Sequence, residues 1–287
     1  MVKRRLDTLL AERGLFPSRS RAAASVMAGE VFLQPLRSGA PRSGRGERRA
    51  EKPGELVDVE THVRVLAPPA FVSRGGIKLA NALDASGLGV SGRRALDIGA
   101  STGGFTDCML QRGVREVIAV DVGYGTLDYR LRRDPRVAVL ERTNARALTP
   151  ELLPAGRVAD AFPASSPPDL ATIDVSFISL EKVLAAVLDC LGRPYDVLAL
   201  VKPQFELGRG RVGKGGVVRA AEDRREALLG VGAVALELGA AVVGFYSSGL
   251  PGPKGNRETF AWLTDPAGGR GTREEGELVG MAREVEP

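Results

Sequence analysis

The sequence has few of the residues that build metal sites and disulfides. It contains two cysteines, Cys108 and Cys190, and one histidine, His62, in 287 residues. A structural zinc site is usually built from Cys and His ligands, so we expect no metal. The low cysteine count also argues against the disulfide framework that is common in small secreted proteins.

Long apolar runs are missing as well. No stretch approaches the roughly 20 apolar residues that a membrane-spanning helix needs. The chain begins Met-Val-Lys-Arg-Arg, and no apolar stretch of the kind that a signal peptide requires follows. We therefore expect a cytoplasmic protein that has no membrane partner.

The charge of the chain is unevenly distributed. Hydrophobic residues make up 44% and charged residues 26%, as in an ordinary folded protein, and the length predicts one large and one small domain. Residues 1–78 hold fifteen Lys and Arg against eight Asp and Glu, a net charge of +7, so the remainder carries −2. This asymmetry favours a polyanionic partner for the N-terminal part, most simply a nucleic acid. The alternative is a basic face that is merely solvated.

A glycine-rich turn follows a short apolar run near the middle of the chain. Residues 95–105 read Ala-Leu-Asp-Ile-Gly-Ala-Ser-Thr-Gly-Gly-Phe, which predicts a buried strand, a tight turn and the start of a helix. A second apolar run ends at Asp121, where a carboxylate can accept hydrogen bonds from ribose hydroxyls. The glycine spacing differs from the GxGxxG of dinucleotide sites. It therefore favours S-adenosyl-L-methionine over a nicotinamide cofactor and disfavours a dinucleotide oxidoreductase.

Several residues are expected to contact this cofactor. Asn144 can read the adenine edge through its amide, or it can simply cap a turn. Gly99 and Gly103 can likewise form only a tight strand-to-helix connection, because glycine-rich turns are common. The predicted cofactor-binding residues are Asp97, Gly99, Ser101, Thr102, Gly103, Asp121 and Asn144.

The N-terminal part has the pattern of two helices followed by short strands. Apolar residues at helical spacing predict helices over 5–12 and 20–28, and Ser18 or Ser20 is placed to cap the second helix. Residues 31–33 and 56–59 predict strands. The pattern indicates a small mixed domain.

This part resembles the S4 RNA-binding domain over residues 1–62 at most. The matching residues are Arg5-Leu6-Asp7, Leu10, Gly14, Ser18-Arg19, Ala22-Ala23 and Met27-Ala28-Gly29. The stretch 35–53 departs from the family and is interpreted as a flexible basic insertion, and residues 63–70 predict an extended linker. The resemblance implies RNA binding. The expected RNA-binding residues are Arg4, Arg5, Arg19, Arg21 and Arg74.

Apolar runs alternate with helical patterns from residue 71 to residue 264. This alternation predicts an α/β fold with a doubly wound, mostly parallel Rossmann-like sheet. Residues 265–287 are rich in Gly, Arg and Glu and predict a frayed tail. Strands are predicted near 94–98, 116–121, 136–140, 169–174, 196–201, 241–247 and 259–263. The opening segment 71–79 is predicted to run into a helix that extends to about residue 85, and further helices are predicted over 103–112, 178–190 and 219–238.

Four charged residues, Lys78, Asp174, Lys202 and Glu258, are expected at or beside the carboxyl edge of this sheet. Asp174 and Lys202 each follow an apolar run directly, and open α/β sheets bind their ligands outside such strand ends. Taken singly, each residue can be a surface ion pair or a charge at a helix end. Taken together, they indicate one site.

The four residues resemble the Lys-Asp-Lys-Glu tetrad of the 2′-O-ribose RNA methyltransferases related to FtsJ. With the S4-like part, the chain is similar to the TlyA family, the haemolysin-A-like ribosomal RNA methyltransferases. The family-like segments are 72–79, 97–105, 174–180, 201–206 and 252–258. The resemblance implies methylation of a ribose 2′-hydroxyl by S-adenosyl-L-methionine, with cytidine in ribosomal RNA or ribosomal subunits as the target.

The chemistry of this reaction suggests separate roles for the four residues. A ribose 2′-hydroxyl is a poor nucleophile until its proton is drawn away, so Lys202 is expected to accept or polarise that proton. Desolvation and the neighbouring Lys78 can favour the neutral form of Lys202. Asp174 and Glu258 oppose that effect and are expected to orient the lysines and the hydroxyl.

Two other functions are alternatives to methyl transfer. A non-catalytic RNA-binding or ribosome-assembly factor would bind RNA without a cofactor and without methyl transfer. A membrane-lytic haemolysin follows only from the family's name, because no segment has the length or amphipathic face that insertion needs. The sequence leaves the modified nucleotide and the oligomeric state open.

Overall fold

The chain forms two compact units, residues 1–70 and residues 71–287. The structure is a computed structural model. The described residues are 2–16, 18–34, 47–66, 70–155, 166–213 and 215–286.

The first unit is a small α+β body. The strand β1 pairs antiparallel with β4, and β2 lies between β3 and β5 in a second antiparallel sheet. Ser18 Oγ caps α2 by accepting a hydrogen bond from Arg21 N at 3.2 Å. Of the two serines predicted as possible caps, Ser18 and Ser20, it is therefore Ser18 that caps the helix. The elements are β1 (Lys3–Arg5), α1 (Leu6–Glu12), α2 (Arg19–Met27), β2 (Val31–Gln34), β3 (Arg48–Arg49), β4 (Leu56–Asp58) and β5 (His62–Val65).

Two predictions for this unit need correction. The linker predicted over 63–70 is wrong at its start, because His62–Val65 forms β5, and Val63 and Val65 pack against the unit's core. The flexible insertion predicted over 35–53 is wrong at 48–49, which pair with β2. Residues 35–46 of that insertion lie outside the described residues.

The second unit contains a seven-stranded sheet in the order β11-β12-β10-β9-β6-β7-β8. The five strands from β8 to β10 are parallel, whereas β12 is antiparallel to both of its neighbours. The predicted fold class, a mostly parallel Rossmann-like sheet, is confirmed. The elements are α3 (Arg74–Ser86), β6 (Arg94–Ile98), α4 (Gly104–Gln111), β7 (Glu116–Val120), α5 (Tyr129–Arg133), β8 (Val137–Leu140), β9 (Leu170–Ile173), α6 (Leu184–Asp189), β10 (Asp196–Val201), α7 (Pro203–Glu206), α8 (Ala221–Glu237), β11 (Ala241–Ser247), β12 (Thr259–Thr264) and α9 (Glu275–Val285).

The sheet is buried on both faces. Every residue of β6, β7, β9 and β10 is buried, which explains why these strands are nearly continuous apolar runs in the sequence. Alternate residues of one strand enter different cores, since Leu96 and Ile98 belong to one apolar cluster and Ala95 to the other. Phe260 and Trp262, in β12, are core residues.

The topology brings the ends of several elements to one edge. The parallel strands all end at the same edge, so the segments that follow β6, β7, β9 and β10 emerge there. The strand β12 runs in the opposite direction, and its first residue, Thr259, pairs with Val201, the last residue of β10. Glu258 precedes β12 and therefore lies at this edge too.

Two predictions in the second unit are wrong. The helix predicted over 178–190 is a single 3-10 turn, Leu180–Lys182, followed by the shorter α6. The frayed tail predicted over 265–287 contains α9, whose Leu278 and Ala282 are buried in the core. Leu278, Met281, Ala282 and Val285 have helical spacing, so this apolar face was present in the sequence.

Candidate active site

The turn after β6 is held in an unusual backbone conformation. Gly99, Ser101 and Gly103 have φ angles of +83°, +48° and +94°, in the region that favours glycine. A Cβ on Gly99 would lie 2.6 Å from the backbone oxygen of Asp174, so glycine allows the close approach of this turn to the end of β9. Ser101 is tied down because its N–H donates to Asp121 Oδ2 at 2.7 Å.

Asp121 lies directly after β7 and faces a cavity. Its Oδ1 accepts a hydrogen bond from Gly123 N at 2.7 Å, and each carboxylate oxygen retains capacity for a further donor. The cavity has a volume of about 450 Å³ and is also lined by Val122, Asn144 and Ile178. This space, called the Asp121 cavity below, combines apolar walls with a few polar groups, as small-molecule sites commonly do.

The other predicted cofactor residues surround this turn. Asn144 Oδ1 accepts a hydrogen bond from Arg146 N at 3.1 Å and so caps a 3-10 turn, while Asn144 also lines the Asp121 cavity. Both sequence alternatives for Asn144 therefore remain compatible with its position. Thr102 lines a smaller neighbouring cavity of about 380 Å³, and Gly103 lies at the N-cap of α4.

Asp97 is completely buried beneath the turn. Its carboxylate accepts hydrogen bonds from Thr106 Oγ1 at 2.6 Å and from Thr172 Oγ1 at 3.2 Å. It therefore links the first turn of α4 to β9. Burial raises the pKa of Asp97 to about 6, although the two hydroxyl donors oppose this shift.

We expect this buried carboxyl group to make stability depend on pH. The folded protein holds the proton of Asp97 more tightly than the unfolded chain, because the pKa of about 6 exceeds the ordinary value of 3.8. Its contribution to stability therefore falls as pH rises from about 4 to 6. Asp97→Asn cannot ionise, so its stability relative to wild type should increase by about 2–3 kcal/mol between pH 4 and pH 7. Urea unfolding at both pH values measures this change.

Asp84→Asn is the matched control for this experiment. Asp84 is exposed, and a hydrogen bond from Arg112 lowers the pKa of its carboxyl group. Its contribution is present above the ordinary pKa and is lost only as the pH falls below it. A parallel pH dependence of wild type and Asp97→Asn would contradict the assignment of the effect to Asp97.

The four predicted tetrad residues form two Lys–carboxylate pairs. Lys78 Nζ donates to Glu258 Oε2 at 2.5 Å. Lys202 Nζ lies 2.5 Å from Asp174 Oδ1 and donates to Val175 O and Ser176 Oγ, both at 2.9 Å. The structure thus brings all four residues together at the edge where the strands end.

Because these pairs are buried, each lysine needs its carboxylate partner. The side chains of Lys78 and Lys202 are 10% and 9% exposed, and that of Glu258 is 1% exposed. A buried ammonium group without a partner is costly, and the carboxylates compensate for its desolvation. Asp174 is the most exposed of the four at 25%. All four line a cavity of about 540 Å³, called the Lys202 cavity below.

Two phenylalanines form an apolar wall of the Lys202 cavity. Phe177 is 92% exposed although it is a large apolar residue, and its φ is +65°. Its ring centroid lies 5.3 Å from that of Phe205. Both residues lie in family-like segments, but the sequence did not predict a role for them, because it does not reveal that a phenylalanine is exposed.

Two polar residues that support the site were also missed. Ser176 contacts Lys202, as described above. Glu206 in α7 accepts hydrogen bonds from Ser179 Oγ at 2.7 Å and from Leu180 N at 3.1 Å, and burial raises the pKa of Glu206. These contacts fix the segment after β9 to the segment after β10. Their only sequence signal was their position beside Asp174 and Lys202.

The predicted RNA-binding arginines lie in both units. In the first unit, Arg5 and Arg19 share the carboxylate of Asp7, at 2.8 and 3.1 Å, while Arg4 pairs with Glu12. The hydrogen bond from Arg5 holds the pKa of Asp7 well below its usual range. Two further predicted residues are Arg21, in the first turn of α2, and Arg74, which lines the smaller cavity of the second unit.

The described residues lack both a metal-binding cluster and a membrane-spanning helix. They contain no group of three or more His, Cys, Asp or Glu side chains that could hold a metal ion. Among the same residues, no helix is both long and apolar enough to cross a membrane.

The fold and the site define the class of this protein. A mostly parallel sheet with a glycine-rich turn after β6, a carboxylate after β7 and the two Lys–carboxylate pairs is the arrangement of a Rossmann-like methyltransferase. The chain belongs to the family of FtsJ-like methyltransferases, whose family model matches residues 71–264.

Similar proteins narrow the family further. The Mycobacterium tuberculosis protein named 16S/23S rRNA (cytidine-2′-O)-methyltransferase TlyA is 48% identical over 261 residues, covering 90% of this chain and 89% of the relative. Bacillus subtilis YqxC, named as a putative rRNA methyltransferase, is 40% identical and covers 99% and 94%. The solved structure of a "putative hemolysin" from Streptococcus thermophilus is 38% identical, with a TM-score of 0.66 and coverage of 99% and 97%. The predicted TlyA membership is confirmed.

Proposed function

We propose that this protein transfers the methyl group of S-adenosyl-L-methionine to a ribose 2′-hydroxyl of ribosomal RNA, at cytidine. The observation that carries this proposal is the meeting of the two Lys–carboxylate pairs in the Lys202 cavity, next to the Asp121 cavity. The two cavities share five lining residues, Gly99, Ser101, Asp174, Ser176 and Phe177. The names of the Mycobacterium tuberculosis and Bacillus subtilis relatives support ribosomal RNA as the substrate.

The Asp121 cavity fits the nucleoside part of the cofactor. Asp121 can accept hydrogen bonds from the ribose hydroxyls, and Val122 and Ile178 offer apolar surface for adenine. Glycine at position 99 lets the backbone approach the ligand closely. When bound, S-adenosyl-L-methionine supplies a methyl group that is already activated by its sulfonium sulfur.

Lys202 is the residue best placed to act on the acceptor hydroxyl. Its Nζ donates to Val175 O and Ser176 Oγ and forms an ion pair with Asp174 Oδ1, which suits a protonated lysine that keeps one N–H for the hydroxyl. This favours polarisation of the hydroxyl by an ammonium group over removal of the proton by a neutral amine. Lys202 then stabilises the negative charge that develops on the oxygen.

The remaining residues of the tetrad position this lysine and the substrate. Asp174, which is partly exposed, can accept a hydrogen bond from the hydroxyl. Lys78 and Glu258 form the second wall of the site and fix its charge. The exposed ring of Phe177 offers a stacking surface for the base of the acceptor nucleotide.

The first unit supports RNA as the substrate. It carries the excess of basic residues, and its helical pair resembles the S4 RNA-binding domain. Arg4, Arg5, Arg19 and Arg21 are proposed to contact phosphates, and Arg74 is proposed to contact RNA beside the site. Cytoplasmic localisation is part of this proposal, because ribosomal RNA is found there.

The decisive experiment supplies labelled S-adenosyl-L-methionine and ribosomal RNA or subunits from a strain that lacks the gene. We expect transfer of label, recovered in alkali-stable dinucleotides, because alkaline cleavage of RNA requires a free 2′-hydroxyl. Mass spectrometry of the nucleosides should then identify 2′-O-methylcytidine.

Other outcomes would point elsewhere. Label in alkali-labile material would indicate methylation of a base, and a methylated nucleoside other than cytidine would correct the target. RNA binding without cofactor binding or transfer would favour the alternative of a non-catalytic ribosome-assembly factor.

A further inference from the structure

Arg142 has a backbone conformation that the proposed reaction does not explain. Among the described residues other than glycine, three have positive φ angles: Ser101 at 48°, Arg142 at 54° and Phe177 at 65°. Ser101 belongs to the turn beside Asp121, and Phe177 belongs to the wall of the Lys202 cavity. Residues with a side chain adopt this conformation at a cost, and they do so frequently at functional sites.

Neighbouring contacts enforce the conformation of Arg142. Its N–H donates to Gly123 O at 3.1 Å, and the N–H of Thr143 donates to Asp121 O at 3.0 Å. The preceding residue, Glu141, accepts a hydrogen bond from Gly125 N at 2.8 Å. These contacts fasten the segment after β8 to the segment after β7 at the opening of the Asp121 cavity.

The result is an arginine stacked on an exposed aromatic ring. The guanidinium carbon of Arg142 lies 4.2 Å from the ring centroid of Tyr124, which is 68% exposed. In a second arginine–tyrosine pair, the guanidinium carbon of Arg133 lies 5.5 Å from the ring centroid of Tyr129, which is 67% exposed, and Arg133 Nη1 donates to the Tyr129 hydroxyl at 2.6 Å. A stacked guanidinium group keeps its N–H edge available for a phosphate.

The surrounding segment is basic within an otherwise acidic part of the chain. Residues 122–146 hold six arginines and three acids, a net charge of +3, whereas residues 79–287 as a whole carry −2. Each acid is paired with one arginine. The pairs are Arg130 with Asp128, Arg132 with Glu141 and Arg136 with Asp134. Within the part of the chain that the structure describes, Arg133, Arg142 and Arg146 make no ion pair with a carboxylate.

We infer that this surface binds the single-stranded RNA that flanks the methylated nucleotide. It is called the arginine–tyrosine rim and consists of Tyr124, Tyr129, Arg133, Arg142 and Arg146. The inference rests on the proposed function. Arg146 lines the Asp121 cavity, so RNA on the rim passes the opening of that cavity on its way to the Lys202 cavity. Exposed rings beside arginines favour RNA over an acidic protein, because they add base stacking to phosphate contacts.

The test compares RNA binding and methylation by rim variants. Asparagine tolerates a positive φ, so Arg142→Asn combined with Arg133→Gln removes two charges without adding backbone strain, and neither residue lines the Asp121 cavity. We expect the KM for ribosomal RNA to rise about tenfold while kcat and the Kd for S-adenosyl-L-methionine stay near wild type. The slope of log affinity against log salt for protein-free ribosomal RNA should fall by about 1.4, because each lost single-strand phosphate contact accounts for about 0.7.

Two controls make the result specific. Arg283→Gln changes an exposed arginine on α9, which packs on β11 at the far edge of the sheet, and should leave the KM and the salt slope unchanged. Tyr124→Ala should weaken RNA binding, whereas Tyr124→Phe should retain it, because the ring is what stacks.

The outcomes separate this inference from the proposed function. If the double variant keeps wild-type RNA affinity and salt slope, the arginine–tyrosine rim does not bind RNA, even if methyl transfer proceeds normally. Failure of the wild type to methylate any RNA would overturn the proposed function. Filter binding to protein-free ribosomal RNA would still show whether the arginine–tyrosine rim binds RNA.

Discussion

Lys202→Met should lower the kcat for methyl transfer by about 10²- to 10⁴-fold, the range that proton-transfer and charge-stabilising side chains commonly contribute. Methionine keeps the unbranched shape of lysine but cannot donate to the acceptor oxygen, to Val175 O or to Ser176 Oγ. The Asp121 cavity does not include Lys202 in its lining, so cofactor affinity should change by no more than about twofold. Single-turnover transfer of labelled methyl and calorimetric titration of the cofactor measure the two quantities.

Lys182→Met is the matched control for this change. Its side chain is 55% exposed. Its ammonium nitrogen lies 3.6 Å from a carboxylate oxygen of Glu181, which is outside hydrogen-bond distance. We expect wild-type kcat in this variant. Activity of Lys202→Met within twofold of wild type, in a protein with unchanged thermal unfolding, would remove Lys202 from the mechanism. Lys202→Arg keeps the charge and should recover part of the activity if charge is what matters.

Gly99→Ala should disrupt both stability and activity. A Cβ at this position would meet the backbone oxygen of Asp174 at 2.6 Å, and the φ of +83° is unfavourable for alanine. The backbone conformation costs about 1–2 kcal/mol, and the overlap adds about 1–3 kcal/mol because two backbone segments must separate. Since Asp174 would move with them, we expect transfer to fall about 100-fold. Urea unfolding and methyl transfer measure the two effects.

Gly125→Ala distinguishes overlap from backbone strain. Gly125 also has a positive φ, +73°, but nothing lies within 4 Å of the position of its Cβ. It should therefore show the conformational cost of about 1–2 kcal/mol and little loss of activity. Equal effects in the two glycine variants would mean that the contact with Asp174 has no special importance.

The sequence predicted the sheet well because burial dictates its composition. A parallel strand that is covered on both faces is apolar at most positions, so β6, β7, β9 and β10 stand out as runs. Asp121, Asp174 and Lys202 were found because each directly follows such a run. The rule that ligands bind at the carboxyl edge then placed these residues at one site.

The features that the sequence did not predict depend on contacts between distant segments. The strand β5 was assigned to a linker because the following prolines suggested extended chain, although His62-Val63-Arg64-Val65 alternates as a half-buried strand does. The helix α9 was hidden by the Gly, Arg and Glu residues around its apolar face. The exposure of Phe177 and the stacking of Arg142 on Tyr124 follow from local backbone geometry, which no residue pattern specifies.

The pairing of Lys78 with Glu258 has a consequence for how activity arises during synthesis. These two residues are 180 positions apart, and Glu258 immediately precedes β12, which is inserted between β10 and β11. A nascent chain can therefore contain the complete glycine-rich turn, Asp174 and Lys202 and still lack one wall of its site. Methyl transfer should therefore appear only after β12 has joined the sheet, which makes it a functional reporter of this late stage of folding.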